Sequence, residues 1–147
     1  MPEVALISTK NPLDVKKALE GINIHREFSD KEKILIKPNY VTDDAPNTGV
    51  TTDPLTVKGI IDYLLEIGFN KNNIIVGEGG MSDLDTYKTF KKVGLVEVLK
   101  DYNINLIDLN KDERVELEIG YKSLALKKVK VAKTYLYCDA IISVAAG

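Results

Sequence analysis

The sequence has one cysteine and one histidine, and each shortage excludes a class of site. Cys138 has no second cysteine for an internal disulfide, cannot hold an iron–sulfur cluster alone, and is interpreted as a buried small hydrophobic residue. His25 has no second histidine for a zinc site and is interpreted as a surface residue. We therefore predict no metal site built on these residues, and a reducing, cytoplasmic location.

Long hydrophobic runs and an excess of one charge are also missing. The longest apolar runs have the length of strands, and the first residues show no signal-peptide pattern, so we expect no membrane partner. The formal net charge of −2 argues against nucleic-acid binding. The 147 residues are enough for one domain with a hydrophobic core, which we place at residues 1–147. Because the sequence ends on an apolar strand-like segment, we expect a longer natural protein.

Short apolar segments alternate with segments of helical periodicity. The predicted strands are residues 4–8, 33–39, 73–80, 104–109 and 139–145, and the predicted helices are residues 11–22, 53–68 and 85–103, the last with a break near Gly94. Continuously apolar strands separated by helices are typical of a parallel sheet with helices on both faces. Residues 115–119 and 124–131 instead alternate with period two, which predicts an antiparallel hairpin joined by residues 120–123. The predicted class is α/β.

Polar segments follow four of the predicted strands, at residues 8–10, 37–39, 78–80 and 108–110. The carboxyl ends of parallel strands meet at one edge of a sheet, where ligands commonly bind. We therefore expect five side chains to converge there. They are Lys10, Lys37, Asn39, Glu78 and Asp108.

The loop at residues 41–53 leads to the start of the strongest predicted helix, where Asp53 suits the N-cap and Pro54 the first turn. Free backbone N–H groups at a helix start favour an anion. We predict that a phosphate or carboxylate ligand binds between this helix start and the preceding strand, at Lys37, Asn39, Thr51, Thr52 and Asp53. Two simpler interpretations stay open: the last three residues only satisfy the helix end, and Lys37 only reaches solvent.

The segment "GEGG" at residues 77–80 lacks the spacing of a phosphate-binding or dinucleotide-binding loop. Glu78 is a candidate general base or metal ligand, Lys37 a second catalytic candidate, and Gly79 a candidate ligand contact. The alternative is that the glycines only allow a turn with positive φ. Lys128 and Lys130 share one face of a predicted strand, more typical of a solvated face than of an anion-binding stripe.

The segments "ILIKPNYV", "TGVTTDPLTVKGIIDYLLEIG", "IIVGEGG", "TYKTFKKVGL" and "DAIISV" resemble, in this order, the uncharacterised family called domain of unknown function 362. The resemblance covers about residues 33–144. The family pattern has Lys-Pro-Asn, Thr-Thr-His/Asp-Pro and a Gly-Asp/Glu-Gly/Ser turn. The matching positions here are Lys37, Pro38, Asn39, Thr51, Thr52, Asp53, Pro54, Glu78 and Gly79.

The sequence departs from the family after residue 144, where a basic, histidine-bearing stretch is expected and "AAG" stands instead. Some relatives carry a ferredoxin-like cluster region, whose cysteines are absent here, and a weaker similarity to the N-terminal part of nickel-dependent lactate racemases assigns no activity. We therefore carry three hypotheses: a domain that binds a small anionic ligand or cofactor of unknown identity, a redox-associated module that works with an iron–sulfur domain or partner, and a non-catalytic scaffold. The scaffold hypothesis predicts no pocket at the sheet edge and Lys37 in open solvent.

Overall fold

The computed structural model describes residues 4–22, 24, 33–120 and 123–145. The interpretation of His25 and the middle of the predicted turn at residues 120–123 lie outside this part of the chain. The helices are α1 (Val15–Gly21), α2 (Pro54–Glu66), α3 (Thr86–Lys92), α4 (Leu95–Val98) and α5 (Lys133–Tyr137). The strands are β1 (Ile34–Pro38), β2 (Ile74–Glu78), β3 (Asn105–Asp108), β4 (Arg114–Glu118), β5 (Lys128–Ala132) and β6 (Ala140–Val144).

Four strands form one parallel sheet in the order β3-β2-β1-β6. Ile34 at the start of β1 pairs with Ile74 of β2 on one side and with Ala140 of β6 on the other. The remaining two strands, β4 and β5, pair antiparallel as a separate hairpin. Both the parallel sheet and the C-terminal hairpin predicted from the sequence are confirmed.

Alternate residues of β1 belong to two different hydrophobic clusters, as the two faces of a strand require. Ile34 and Ile36 pack in the larger cluster, which contains residues from α1, α2, α3 and α4. Leu35 packs in a smaller cluster with Leu109 and Ala132, against which Tyr135 of α5 lies. Helices therefore cover both faces, although the second face has only the short α5.

Helix α2 begins and ends as its sequence predicts. Asp53 is extended, at φ −64° and ψ 126°, and its Oδ1 accepts the N–H of Leu55 at 2.8 Å. Pro54 occupies the first turn, where its missing N–H costs nothing. Gly68 follows the helix with φ 96°, a conformation that residues with a Cβ rarely adopt. The break in the next predicted helix is confirmed at Gly94, whose φ is 89°.

The predicted first strand at residues 4–8 is wrong. These residues form no strand, and the side chains of Val4 and Leu6 are 91% and 96% exposed. An apolar segment becomes a strand only when it pairs with another strand, and residues 4–8 pair with none of the four strands in the sheet β3-β2-β1-β6. Apolar composition alone could not show this.

The segment before α1 lies against α2 at Gly59. A Cβ at this glycine would lie 2.8 Å from Cγ1 of Val15 and 3.1 Å from the carbonyl oxygen of Leu13. The absence of a side chain thus allows the close approach, which brings residues 9–12 beside the start of α2. In the part of the chain that the structure describes, no helix is long and apolar enough to cross a membrane.

Candidate functional site at the carboxyl ends of the strands

A cavity of about 260 Å³ lies where α2 begins, and we name it the α2 cavity. Three parts of the chain form it: residues 9–12, the start of α2 with the loop before it, and the residue after β6. Its lining consists of Thr9, Lys10, Asn11, Pro12, Pro46, Thr51, Thr52, Asp53, Thr56 and Ala145. Most of these side chains are polar, so the cavity suits a polar ligand better than an apolar one.

Thr52 joins the cavity to the sheet. Its hydroxyl accepts the N–H of Asn39 at 2.9 Å and donates to the carbonyl oxygen of Val144 at 2.6 Å. Its own N–H donates to the carbonyl oxygen of Asn39 at 3.1 Å. Thr52 therefore holds the carboxyl ends of β1 and β6 at the start of α2, and its hydroxyl proton is already in use.

Thr51 differs from its neighbour although both side chains are 2% exposed. The hydroxyl of Thr51 is buried and has no hydrogen-bond partner among the described residues. A buried polar group without a partner costs about 1–3 kcal/mol, so native proteins seldom leave one without a reason. Thr51 also lines the α2 cavity, and a rotation of its side chain would let a ligand there supply the missing partner.

The charge in the α2 cavity comes from Lys10 and Asp53. Within the described ranges, no carboxylate lies in ion-pair distance of Lys10. The expectation of free backbone N–H groups at this helix start is wrong. Pro54 has none, the N–H of Leu55 donates to Asp53 Oδ1, and the N–H of Thr56 donates to the carbonyl oxygen of Asp53 at 2.9 Å. Any attraction for an anion therefore rests mainly on Lys10.

Lys37 and Glu78 form an ion pair at the ends of β1 and β2. Nζ of Lys37 lies 2.8 Å from Oε2 of Glu78, and the N–H of Gly79 donates to Oε1 at 2.8 Å. The side chain of Glu78 is 4% exposed and that of Lys37 is 30% exposed. Both residues were predicted at this edge, but neither lines the α2 cavity. The structure thus divides the predicted site into two parts.

Asn39 and Asp108 also reach this edge, each with local partners. Nδ2 of Asn39 donates to the carbonyl oxygen of Val50 at 2.8 Å and so holds the loop before α2. Asp108 accepts the N–H of Asn110 at 2.9 Å, and Lys111 lies 3.5 Å from its second oxygen. The five side chains expected to converge therefore do not form one cluster.

The glycines after β2 are required for space rather than for a positive φ. Gly79 and Gly80 are not among the described glycines with positive φ, so the interpretation that they only allow such a turn is wrong. A Cβ on Gly79 would lie 2.6 Å from Oδ1 of Asn110, whose Nδ2 donates to the carbonyl oxygen of Gly80 at 2.7 Å. Sequence reasoning missed Asn110, although its place directly after a predicted strand was a signal.

Tyr40 is a second residue that sequence reasoning missed. It is fully buried, its ring meets that of Phe90 edge-on at 6.0 Å, and its hydroxyl has no hydrogen-bond partner among the described residues. Burial raises the pKa of the Tyr40 phenol, and the charges of Asp53 and Glu78 raise it further. The phenol is therefore neutral, and its pKa is raised by one carboxylate from each part of the site. Its place directly after Lys37-Pro38-Asn39 was the signal.

The other candidates have ordinary surroundings. Nζ of Lys128 lies 2.7 Å from Oε1 of Glu116, and Lys130 is the cross-strand neighbour of Glu116, which supports the interpretation as a solvated face. Cys138 is half-buried rather than buried as predicted, and this partial burial raises the pKa of its thiol. No group of three or more His, Cys, Asp or Glu side chains that could hold a metal ion occurs among the residues described.

Comparison with known proteins gives one result. The family model described as domain of unknown function (DUF362) matches residues 34–146, which include β1, α2, the turn after β2 and β6. No curated protein matches the chain. The α2 cavity contains residues from inside the matched range, such as Thr51, and residues before it, such as Lys10.

Proposed function

For a chain that belongs to the DUF362 family, whose description names no activity, we propose that it binds a small anionic ligand in the α2 cavity. In this proposal Lys10 supplies the positive charge and Thr51 a hydrogen bond. Thr52 positions the site through its bonds to Asn39 and Val144. The ligand is a small molecule bearing a phosphate or carboxylate group.

The buried hydroxyl of Thr51 carries this proposal. It is a polar atom without a partner among the described residues, on a residue that lines the cavity together with Lys10, which has no described carboxylate within ion-pair distance. Because the oxygen itself is buried, the side chain of Thr51 would rotate to present it to the ligand. Both groups gain a partner when an anion enters. The hydrogen bond of the hydroxyl and the charge–charge contact of the ammonium group are the two interactions that would fix the anion.

The size of the cavity limits the ligand. Pockets for drug-sized ligands measure about 300–1,000 Å³, and the α2 cavity measures about 260 Å³. A small phosphate ester or a short carboxylic acid fits this volume, whereas a dinucleotide would extend out of the cavity into solvent.

The pair of Lys37 and Glu78 stands beside this proposal rather than within it. Both oxygens of Glu78 already accept a hydrogen bond, from Lys37 and from the N–H of Gly79. The side chain of Glu78 is also only 4% exposed, so a substrate would have to displace Lys37 to exchange a proton with it. The catalytic roles of the two residues therefore remain predictions from the sequence.

The cavity and the pairing of Lys37 with Glu78 favour ligand binding over a scaffold, which predicts no pocket here and Lys37 in open solvent. The redox-associated module remains a prediction from the family resemblance. Nothing in the described ranges favours it over anion binding.

The test is a titration of the ¹⁵N-labelled protein with inorganic phosphate, followed by NMR at constant ionic strength. We expect saturable shifts at Thr51, Thr52 and Thr56, with a millimolar dissociation constant. Lys10→Gln should weaken binding about 5- to 10-fold, as expected when one charge-assisted contact is lost.

The control variant is Lys130→Gln, which removes an exposed lysine on the hairpin and changes the net charge equally. It should leave the dissociation constant within about a factor of two, because surface charges far from a site are largely screened. Equal weakening by both variants, or shifts that do not saturate, would reject the α2 cavity as an anion site.

A further inference from the structure

We infer that the ligand of the α2 cavity carries a hydroxyl group close to its anionic group, as small hydroxylated phosphates and hydroxy acids do. This inference rests on the proposed function and makes it more specific. It follows from the surroundings of Asp53, a residue that lines the same cavity as Lys10.

The carboxylate of Asp53 is only half used by the protein. Oδ1 accepts the N–H of Leu55 at 2.8 Å, which fixes the side chain at the start of α2. The carbonyl oxygen of Asp53 accepts the N–H groups of Thr56 and Val57. In the part of the chain that the structure describes, no donor contacts Oδ2. Asp53, a half-buried residue that lines the cavity with Lys10, therefore keeps one carboxylate oxygen without a donor among the described residues.

The free Oδ2 of Asp53 determines which class of anion the cavity should bind more tightly. A bare anion gains the attraction of Lys10 but meets the repulsion of Asp53 in the same small cavity. A ligand that donates a hydrogen bond to Oδ2 turns Asp53 from an opposing charge into a partner, and hydrogen bonds to an ionised acceptor are the stronger kind.

The donor should be neutral. An ammonium group on the ligand would also satisfy Asp53, but it would be repelled by Lys10 in the same cavity. A hydroxyl donates to Asp53 without this repulsion. It can also exchange hydrogen bonds with Thr51, since both hydroxyls can donate and accept.

The experiment compares ligands of equal chain length with and without hydroxyls. Glycerol 3-phosphate is compared with propyl phosphate, and glycerate with propionate, by NMR titration and calorimetry on the full chain. We expect the protein to bind the hydroxylated member of at least one pair about 10-fold more tightly. The pair with the larger preference identifies whether the anionic group is a phosphate or a carboxylate.

The variant that tests the inference is Asp53→Asn. Asparagine caps a helix as well as aspartate does, so its Oδ1 can accept the N–H of Leu55 while an NH₂ group replaces the acceptor oxygen. We expect the preference for hydroxylated ligands to fall below about 2-fold, and the affinity for propyl phosphate or propionate to increase because the repulsion by Asp53 is gone. Asp53→Ser, which also caps, serves if the first variant melts at a lower temperature.

The outcomes distinguish failure of this inference from failure of the proposed function. Equal affinity of the wild type for both members of each pair overturns the inference and leaves anion binding in place. A preference that persists in Asp53→Asn and Asp53→Ser shows that another residue binds the ligand hydroxyl. This outcome also overturns the inference. Failure of all four ligands and of inorganic phosphate to bind overturns the proposed function itself.

Discussion

The ammonium nitrogen of Lys37 lies 2.8 Å from Oε2 of Glu78, on the neighbouring strand of the sheet. Because the side chain of Glu78 is only 4% exposed, water can do little to stabilise its charge if Lys37 is removed. The two most conspicuous charges at this edge thus neutralise each other. Replacing Lys37 should therefore change the free energy of unfolding without changing ligand binding in the α2 cavity.

The first prediction concerns Lys37→Met. Loss of the ammonium group leaves Glu78 buried with one hydrogen bond, from the N–H of Gly79. We expect the free energy of unfolding at pH 7 to fall by about 1–3 kcal/mol, less than for a fully buried pair because Lys37 lies at the rim. Phosphate affinity in the α2 cavity should remain within about 2-fold. Urea denaturation and NMR titration measure the two quantities.

A double-mutant cycle provides the control for this prediction. Lys37→Met combined with Glu78→Gln should cost less than the sum of the two single changes, because the second removes the unpaired charge left by the first. Additive costs would mean that the two residues do not stabilise each other. Loss of phosphate binding in Lys37→Met would instead return Lys37 to the ligand site.

The second prediction compares two adjacent threonines. Thr52→Val removes a hydroxyl that serves both Asn39 and Val144, and should lower the free energy of unfolding by about 2–4 kcal/mol because two buried polar groups lose their partner. Thr51→Val removes a hydroxyl without a partner among the described residues and should leave stability unchanged or increased. Chemical denaturation of both variants measures the difference.

The same pair should behave in the opposite way toward the ligand. Thr51→Val should weaken phosphate binding about 3-fold or more, since it removes the hydroxyl assigned to the anion. A Thr51→Val protein that is less stable and binds phosphate normally would show that the Thr51 hydroxyl has a structural partner.

The third prediction is that Gly79→Ala costs about 1 kcal/mol by displacing Asn110. The new Cβ would lie 2.6 Å from Oδ1 of Asn110, a mobile side-chain atom that can move away. Asn110 would then lose its hydrogen bond to the carbonyl oxygen of Gly80. Thermal melts should therefore show less-than-additive effects of Gly79→Ala and Asn110→Ala. Additive effects would mean that the new methyl group destabilises the protein through a contact other than the one with Asn110.

The fourth prediction concerns the reactivity of Cys138. Burial raises the pKa of its thiol, the charge of Asp139 raises it further, and the charge of Lys33 opposes both. Since the thiolate is the nucleophile, a raised pKa means less thiolate at pH 8. Alkylation by iodoacetamide should therefore be slower than that of N-acetylcysteine, and should reach its plateau at a higher pH.

Two variants provide the control for Cys138. Lys33→Gln removes the opposing charge and should slow alkylation further, whereas Lys130→Gln on the hairpin should leave the rate unchanged. The same cysteine in urea should react at the rate of the small thiol. Faster alkylation in the folded protein would contradict the direction of the pKa shift.

The sequence predicts best the elements whose signals are local. Asp53, Pro54 and Gly68 mark the two ends of α2 by capping and backbone preferences that act within a few residues. The segment at residues 4–8 failed for the opposite reason. Whether an apolar run becomes a strand depends on a free edge elsewhere in the sheet, and no local pattern contains that information.

The candidate site also has one part that the sequence predicts and one part that only the three-dimensional fold shows. Strand order places the polar residues at one edge, and the sequence predicts that edge from the parallel arrangement. It could not predict that β1 lies beside β2, which pairs Lys37 with Glu78 outside the lining of the α2 cavity. Nor could it predict that Gly59 brings residues 9–12 to α2, which makes Lys10 the lysine of the cavity.

The hydrogen bond from Thr52 to Val144 has a consequence for the time at which the site appears during synthesis. The ribosome releases β1 and α2 early, but β6, which holds Thr52 from the other side, follows only after the hairpin. Contacts between residues far apart in sequence form slowly, because a long loop must close first. The α2 cavity therefore cannot form completely before β6 docks beside β1, so binding of the proposed ligand would report that β6 has docked.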